Sequence, residues 1–436
     1  MILSRNQARD LIEKVLSLGS ADEMRVNLSG GTRRNTRFAV NSITTCGEAD
    51  RLSVAITAAF GTRHATAVGN ELDEPALRRL VEQAEQMARL APEDPEYVPE
   101  LPPQDYLPIE PYFESVAQAP EDLGVQVAAS AIEPAERDGL TVAGYLELHN
   151  GFAAVGNSNG LFGYYRATDA SYNVTARTTD GGSGYASVDG RDLARLDFAS
   201  ASRRAIEKAL ASENPETLDP GVYPVILEPL AVAEFLSFAV WNMNARMADE
   251  GRSFFAKPGG GNKIGQKIVG ENVTLTSDPA RDELLAPPFF GDGFPAAPRV
   301  WIENGVLKQL IYDRFWAKKQ DKEPTGHPPN IILAGGDDSL EGLIRSTDRA
   351  LLVTRFWYIR SLDPQTILVT GLTRDGVFLV EYGQVRHAVK NFRFNESPIA
   401  MLKKVTGVSR PERVGNSLVP AIRASEFTFS SLSDAV

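Results

Sequence analysis

A chain of 436 residues, 43% of them hydrophobic and 23% charged, is too long for one ordinary core and too apolar for a disordered segment, so at least two packed units are expected. Its 57 acidic against 45 basic side chains leave a formal net charge of −12, which opposes the counterion release behind nucleic-acid binding and argues against a direct DNA or RNA partner. The one cysteine, Cys46, excludes an internal disulfide framework and any four-thiolate metal site, in keeping with a reducing compartment.

The first stretch, MILSRNQARDLIEKVLSLGS, spaces Arg5, Arg9, Asp10, Glu13 and Lys14 through its apolar residues. That breaks the apolar run a signal peptide needs and predicts an amphipathic helix in a cytoplasmic protein. RFAVNSITTC and RLSVAITAAFGTRHATAVG then alternate apolar and polar residues as strands do, and PALRRLVEQAEQMARLAPEDP has helical spacing, with Leu77, Leu80, Ala84 and Met87 on one side. A second copy of this order follows: a helical VQVAASAIEPAERDG, strands from TVAGYLELHN to GGSGYAS, and a helix in DFASASRRAIEKALASENP. Both closing helices exit through a proline, in LAPEDP and LASENP. The proline-rich PEDPEYVPELPPQDYLPIEP between the copies predicts an extended connector rather than packed structure.

After Pro220 short strand-like runs dominate, among them VYPVIL, NVTLTSD, RVWIENGVLKQLIYD and LLVTRFWYIR. Asn304-Gly305 and Tyr382-Gly383 stand where hairpin turns need a residue that tolerates positive φ. The fold class expected is therefore α+β: an N-terminal half of duplicated helix–sheet–helix α/β units and a predominantly antiparallel β C-terminal half. The division runs as a first repeat over 1–96, the connector over 97–116, a second repeat over 117–220 and the β-rich part over 221–436. Val222 to Met243, the greasiest stretch, is interrupted by Pro224, Glu228, Pro229 and Glu234, so no membrane span is expected.

EPLAVAEFLSFAVWNMNARM predicts a helix over about 230–247, with Ala233, Leu236, Val240, Met243 and Met247 as its apolar stripe and Phe235, Phe238 and Trp241 adding bulk off it. On a helix buried on most sides, Glu234 must be paired, hydrogen-bonded or protonated. A catalytic zinc helix needs two imidazoles flanking such a glutamate. None lies near: His64, His149, His327 and His387 are far apart in sequence, and each reads more simply as a surface or satisfied core histidine.

Over nearly its whole length the chain resembles the TldD/PmbA family, peptidases also described as modulators of DNA gyrase. RFAVNSIT, LAPEDP, DEGRSFF with KPGGGNKIGQKI, VTLTSDP, GDGFPAAPRVWIENGVLKQLIYDRFWAKK and GLTRDGVFLVEYGQVRHAVKNFRFNES carry the likeness. The resemblance implies an N-terminal α/β half joined to a β-rich half, assembled as a dimer around a substrate cavity. It also implies two kinds of subunit: a metallopeptidase-like one with a His-Glu-x-x-x-His helix and a downstream cysteine, and a PmbA/TldE-like one without those ligands that pairs with it. Carried onto this chain, the ligand helix falls on LAVAEFLSFAV, where Glu234 matches the glutamate but both histidine places are apolar. The expectation is a metal-free subunit in proteolysis, with no cofactor, shaping a peptide-binding cavity for a TldD-like metal-bearing paralogue or forming a homodimer. A stand-alone hydrolase with another site and a non-enzymatic peptide-binding scaffold are the alternatives.

Other motifs have plainer explanations beside them. Gly156-Asn157-Ser158-Asn159-Gly160 fits a nucleophile-elbow pattern, but its flanks read as strands, which favours a hairpin turn. PGGGNKIGQK lacks the lysine of a phosphate loop, since Gln266 follows Gly265, and reads as a flexible loop. Arg374-Asp375-Gly376 is either a grip for a substrate carboxylate or a solvated turn. Asp292, in FFGDGFP, either lines a substrate groove or caps a turn. Glu234, Asp292, Arg374 and Asp375 are thus the substrate-groove candidates, with no catalytic or metal residue assigned.

Overall fold

The structure, a computed structural model, describes residues 2–433. The N-terminal half holds α1 (Arg5–Leu18), β1 (Glu23–Ala39), β2 (Ser42–Phe60), β3 (Arg63–Gly69) and α2 (Glu74–Leu90). A short α3 (Glu114–Ala117) then leads into α4 (Leu123–Arg137), β4 (Thr141–Asn157), β5 (Phe162–Arg177), β6 (Ser183–Gly190) and α5 (Phe198–Ala211). The six strands form one antiparallel sheet in the order β3-β2-β1-β4-β5-β6, so the two copies meet through β1 and β4, their first strands. Local chemistry starts the helices. Ser4 and Gln7 form a reciprocal capping box on α1, and Asp73 accepts from the Ala76 amide at the start of α2. Leu77, Leu80, Val81, Ala84 and Ala88 pack α2 against the sheet. Met87, expected on that side, is 43% exposed, because the 3.6-residue period centres the buried stripe on Leu77, Val81, Ala84 and Ala88 and leaves Met87 at its edge.

Two further sheets make up the C-terminal half. One, ordered β10-β9-β8-β11-β18-β17, uses β8 (Leu275–Ser277), β9 (Arg299–Glu303), β10 (Val306–Leu307), β11 (Ile331–Leu333), β17 (Glu412–Val414) and β18 (Ser417–Val419). The other contains β7 (Gly221–Leu227), β12 (Arg349–Asp363), β13 (Leu368–Glu381), β14 (Gln384–Ala388), β15 (Phe392–Glu396), β16 (Val405–Val408) and β19 (Ile422–Leu432). Its path β12-β7-β19-β15-β13 closes on itself because β13 also pairs with β12, which makes a small barrel. Among the strand pairs of the described residues only β12–β7 and β11–β18 are parallel, so the α+β class with a largely antiparallel second half is the observed one. Asn304 and Gly305, and Tyr382 and Gly383, adopt positive φ at the expected hairpins. A Cβ on Gly383 would sit 2.6 Å from the Arg345 carbonyl oxygen, so that turn admits only glycine.

Four expectations are corrected. The helix over about 230–247 is two helices, α6 (Pro229–Trp241) and α7 (Ala245–Asp249), because Asn242 ends the first, its side-chain amide donating to the Phe238 carbonyl, and Asn244 caps the second by accepting from the Met247 amide. The connector does run without regular structure from 97 to 113, yet it is packed: Tyr106 lies 4.9 Å from the Phe289 ring and the Tyr97 hydroxyl donates to Glu23 at 2.6 Å. NVTLTSD contributes only the three residues of β8. Arg374-Asp375-Gly376 is not a turn between strands but lies inside β13, where the register with β12 slips between Val353 and Arg355. The slip is a β-bulge: Asp375 and Gly376 both have positive φ, which a bulge uses as readily as a turn.

Candidate functional site

α6 rests against the barrel through Phe235, whose ring lies 5.5–5.8 Å from those of Phe356, Phe394 and Phe427. Val232, Phe235, Leu236, Ala239 and Val240 form its buried stripe. Ala233 and Phe238 are only half-buried and Trp241 is 84% exposed, so the helix is open along one side rather than enclosed. Glu234 lies beside that open side.

Anchoring Phe235 on Phe356 brings Glu234 to the neighbouring residue of β12. The Phe356 amide donates to Glu234 Oε2 at 2.8 Å, and Arg355 Nε stands 3.8 Å from Oε1. Arg355 Nη1 stands 3.6 Å from Asp375 Oδ2, and Arg374 Nε lies 3.9 Å from the same oxygen. The bulge turns Asp375 inward, where it is 2% exposed and accepts from the Ser183 hydroxyl at 2.5 Å. β6 also supplies Tyr185, whose ring lies 4.1 Å from the Arg355 guanidinium, while Arg374 stacks on Trp357 at 4.2 Å. Three of the four candidates, Glu234, Arg374 and Asp375, thus converge with Arg355 at the seam between the two halves.

Asp292 does not join them. It accepts from the Phe294 amide at 3.0 Å, capping its own turn, with Arg314 Nη1 3.8 Å away. Sequence reasoning missed Arg355, Ser183 and Tyr185. Each sits in an ordinary strand pattern, and only the fold shows that β6 and β12 face one another. The nucleophile-elbow serine, Ser158, accepts from the Met24 amide in the β4–β5 hairpin turn and faces no imidazole among its hydrogen-bond partners.

Burial pushes the Glu234 carboxyl up to about 7, helped by the nearby Asp375 charge and opposed by Arg355 and the Phe356 amide. At neutral pH this group exchanges a proton readily, as a general acid or base must. A cavity of about 560 Å³ lies elsewhere, on the N-terminal sheet beside Arg33, Arg51 and His149. Volume and chemistry disagree here. The Glu234 group is the better candidate, since it combines a perturbed carboxyl with oriented cations.

The donor set does not suit a metal ion. Ala233 and Phe238 stand where the resemblance puts imidazoles, and neither has a lone pair to give. His64 pairs with Asp94 and His387 with Glu216, both away from α6, and Cys46 is exposed on β2. Among the described residues no group of three or more His, Cys, Asp or Glu is placed to hold a metal.

Comparison with known proteins fixes the lineage. The PmbA/TldA metallopeptidase central domain matches residues 115–213 and the PmbA/TldA metallopeptidase C-terminal domain residues 220–431, together more than two thirds of the chain. The chain belongs to the PmbA/TldD family. It is 26% identical over 316 residues to a metalloprotease of Methanothermobacter thermautotrophicus, covering 66% of this chain and 67% of the relative. Metalloprotease PmbA of Escherichia coli O157:H7 is 23% identical over 403 residues, 86% of this chain and 84% of that one. In fold the chain is similar to the crystal structure of TldE from Thermococcus kodakarensis, with a TM-score of 0.88, 22% identity and coverage of 97% and 100%. A Thermotoga maritima protein described as a modulator of a DNA gyrase, TM0727, gives 0.87 at 18% identity, covering 97% and 100%. Among the described residues no helix is long and apolar enough to cross a membrane.

Proposed function

We propose that this protein is the metal-free subunit of a PmbA/TldD-type peptidase, shaping a peptide-binding cavity that a metal-bearing paralogue completes. One observation carries the reading: beside the carboxylate that matches the family's glutamate, the chain places the Arg355 guanidinium, 3.8 Å away. A fixed cation there repels a metal ion, and the flanking Ala233 and Phe238 offer no ligand to offset that repulsion. The open side of α6, with Trp241 exposed at its end, leaves room for a second subunit to close the site. A cytoplasmic setting belongs to the same reading.

The test is reconstitution. Purified alone, the protein is expected to hold no stoichiometric zinc and to leave unmodified peptides intact. Mixed with a His-Glu-x-x-x-His relative from the same cell, it is expected to form a stable complex that cleaves them. Full peptidase activity of this chain alone, or one tightly held zinc per chain, overturns the proposal. A second reading, a stand-alone hydrolase, rests on the near-neutral titration of Glu234. It requires activity without a partner that Glu234→Gln abolishes.

A further inference from the structure

Arg355 is an arginine whose Nε–H the protein leaves without an acceptor. Its side chain is only 16% exposed, and its Nε is buried with no hydrogen-bond partner among the described residues. Both neighbouring carboxylates stand at 3.6–3.8 Å, well beyond the roughly 2.7–2.9 Å of a charge-assisted hydrogen bond. A buried N–H without a hydrogen bond is costly, and a native structure that keeps one calls for a reason, of which an acceptor brought by a ligand is one. The Tyr185 ring at 4.1 Å holds the guanidinium plane in place, so it is set before any ligand arrives.

Glu234 has a matching deficit. Its Oε2 accepts the Phe356 amide, while Oε1 has only the distant Arg355 Nε beside it, and the side chain is 28% exposed. Asp375, by contrast, is nearly sealed from solvent, with Oδ1 accepting from Ser183 and Oδ2 flanked by Arg355 and Arg374. Glu234 Oε1 and Arg355 Nε therefore stand 3.8 Å apart beside the open side of α6, at the distance of an ion pair but too far for a direct hydrogen bond.

We infer that Glu234 and Arg355 together bind a free carboxylate of a peptide, at its C-terminus or on an acidic side chain. The guanidinium donates N–H groups to the incoming oxygens, and protonated Glu234 donates its O–H to one of them. A carboxylate cannot settle beside ionised Glu234 and Asp375 without repulsion, so binding draws a proton onto Glu234. The groups bearing on Glu234 enter that balance: Arg355 from β12 and Asp375 from β13 directly, Tyr185 from β6 beside them, and Arg374 through its contact with Asp375. Because Glu234 titrates near 7, the proton is available under ordinary conditions. The inference deepens the peptide-cavity reading and rests on it, but it needs no metal step.

Calorimetric titration of the full chain, with any subunit that co-purifies, separates the possibilities. The probes are N-acetyl-tetra-alanine as the free acid, its C-terminal amide, and the amide with one alanine replaced by glutamate. The free acid is expected to bind at least about ten-fold more tightly than the plain amide at pH near 6, with the margin shrinking near pH 8. The glutamate-bearing amide tells which source is read: binding as tight as the acid assigns the site to side chains, and binding as weak as the plain amide assigns it to C-termini. Arg355→Gln is expected to abolish the margin. Glu234→Gln, which keeps a neutral group there and does not depend on the arginine variant folding, is expected to preserve it and remove its pH dependence. Equal binding of all three probes by the wild type, or a margin that grows with pH, overturns the carboxylate inference alone. No binding of any probe overturns the peptide-cavity reading with it.

Discussion

At the scale of single residues, Glu234 has a consequence for stability as well as for binding. Burial raises its carboxyl from the ordinary 4.5 to about 7, so the folded protein holds that proton more tightly than the unfolded chain does. The resulting stabilisation is complete below about 4.5 and is lost as the pH rises toward 7. Glu234→Gln removes the ionisation, so its melting temperature should gain on the wild type between about pH 5 and about pH 8, by a stability difference of roughly 2 kcal/mol. Parallel melting curves across that range would contradict the assignment. Glu234 was legible in the sequence because a lone carboxylate on an otherwise apolar helix demands a partner. The partner was not legible: Arg355 sits in LLVTRFWYIR, where a strand reading gives it no task, and nothing local links it to a helix more than a hundred residues earlier. Asp292 was singled out on a different signal, an acid before glycine at a place the family resemblance marks, and of its two readings the structure gives it the turn-capping bond to Phe294.

The element that shapes the site is the bulge in β13. Asp-Gly in sequence announces backbone with positive φ, and that much held, but a turn and a bulge make the same demand of those residues. What decides between them is whether the flanking runs pair with each other or with a third strand. Here both pair with β12, a long-range fact that no local pattern carries. Turn chemistry succeeded at Asn304-Gly305 and Tyr382-Gly383 because there the flanking runs do pair with each other. A variant pair measures what the bulge demands. Gly376 has φ 117, and a Cβ on it would meet Phe378 Cε2 at 2.8 Å and Thr354 Oγ1 at 3.0 Å. Gly259 also has positive φ, at 87, but faces nothing within 4 Å. Both alanine variants pay backbone strain of about 1 kcal/mol, and Gly376→Ala adds overpacking of about 1–3 kcal/mol. Urea unfolding should therefore rank Gly376→Ala well below Gly259→Ala, and equal midpoints would show that the barrel wall yields freely at the bulge.

For the whole molecule, the duplicated sheet and the closed barrel matter because the candidate site lies on neither alone. Ser183 and Tyr185 come from the last strand of the first half, while Glu234, Arg355 and Asp375 come from the second. A rigid seam is therefore a condition for the site's geometry. One ion pair stands out there: Lys208 Nζ, on α5, contacts Glu228 Oε1 at 2.6 Å and Oε2 at 2.5 Å, and Thr354 Oγ1 at 3.1 Å. Glu228 is the residue before α6 and Thr354 the residue before Arg355, so this pair ties α5 to both elements that carry the site. With side chains only 22% and 14% exposed, neither ion is fully hydrated if its partner leaves. Lys208→Met should thus cost about 3–5 kcal/mol, most of it from the stranded Glu228 carboxylate, and adding Glu228→Gln should restore a large part of that loss. A double-mutant cycle by chemical denaturation reads the coupling directly. Strong coupling means the two halves are locked at the site by this pair. Additive losses would mean that Lys208 and Glu228 are each solvated separately, and the seam would then be held by Ser183–Asp375 and the Tyr185–Arg355 stack.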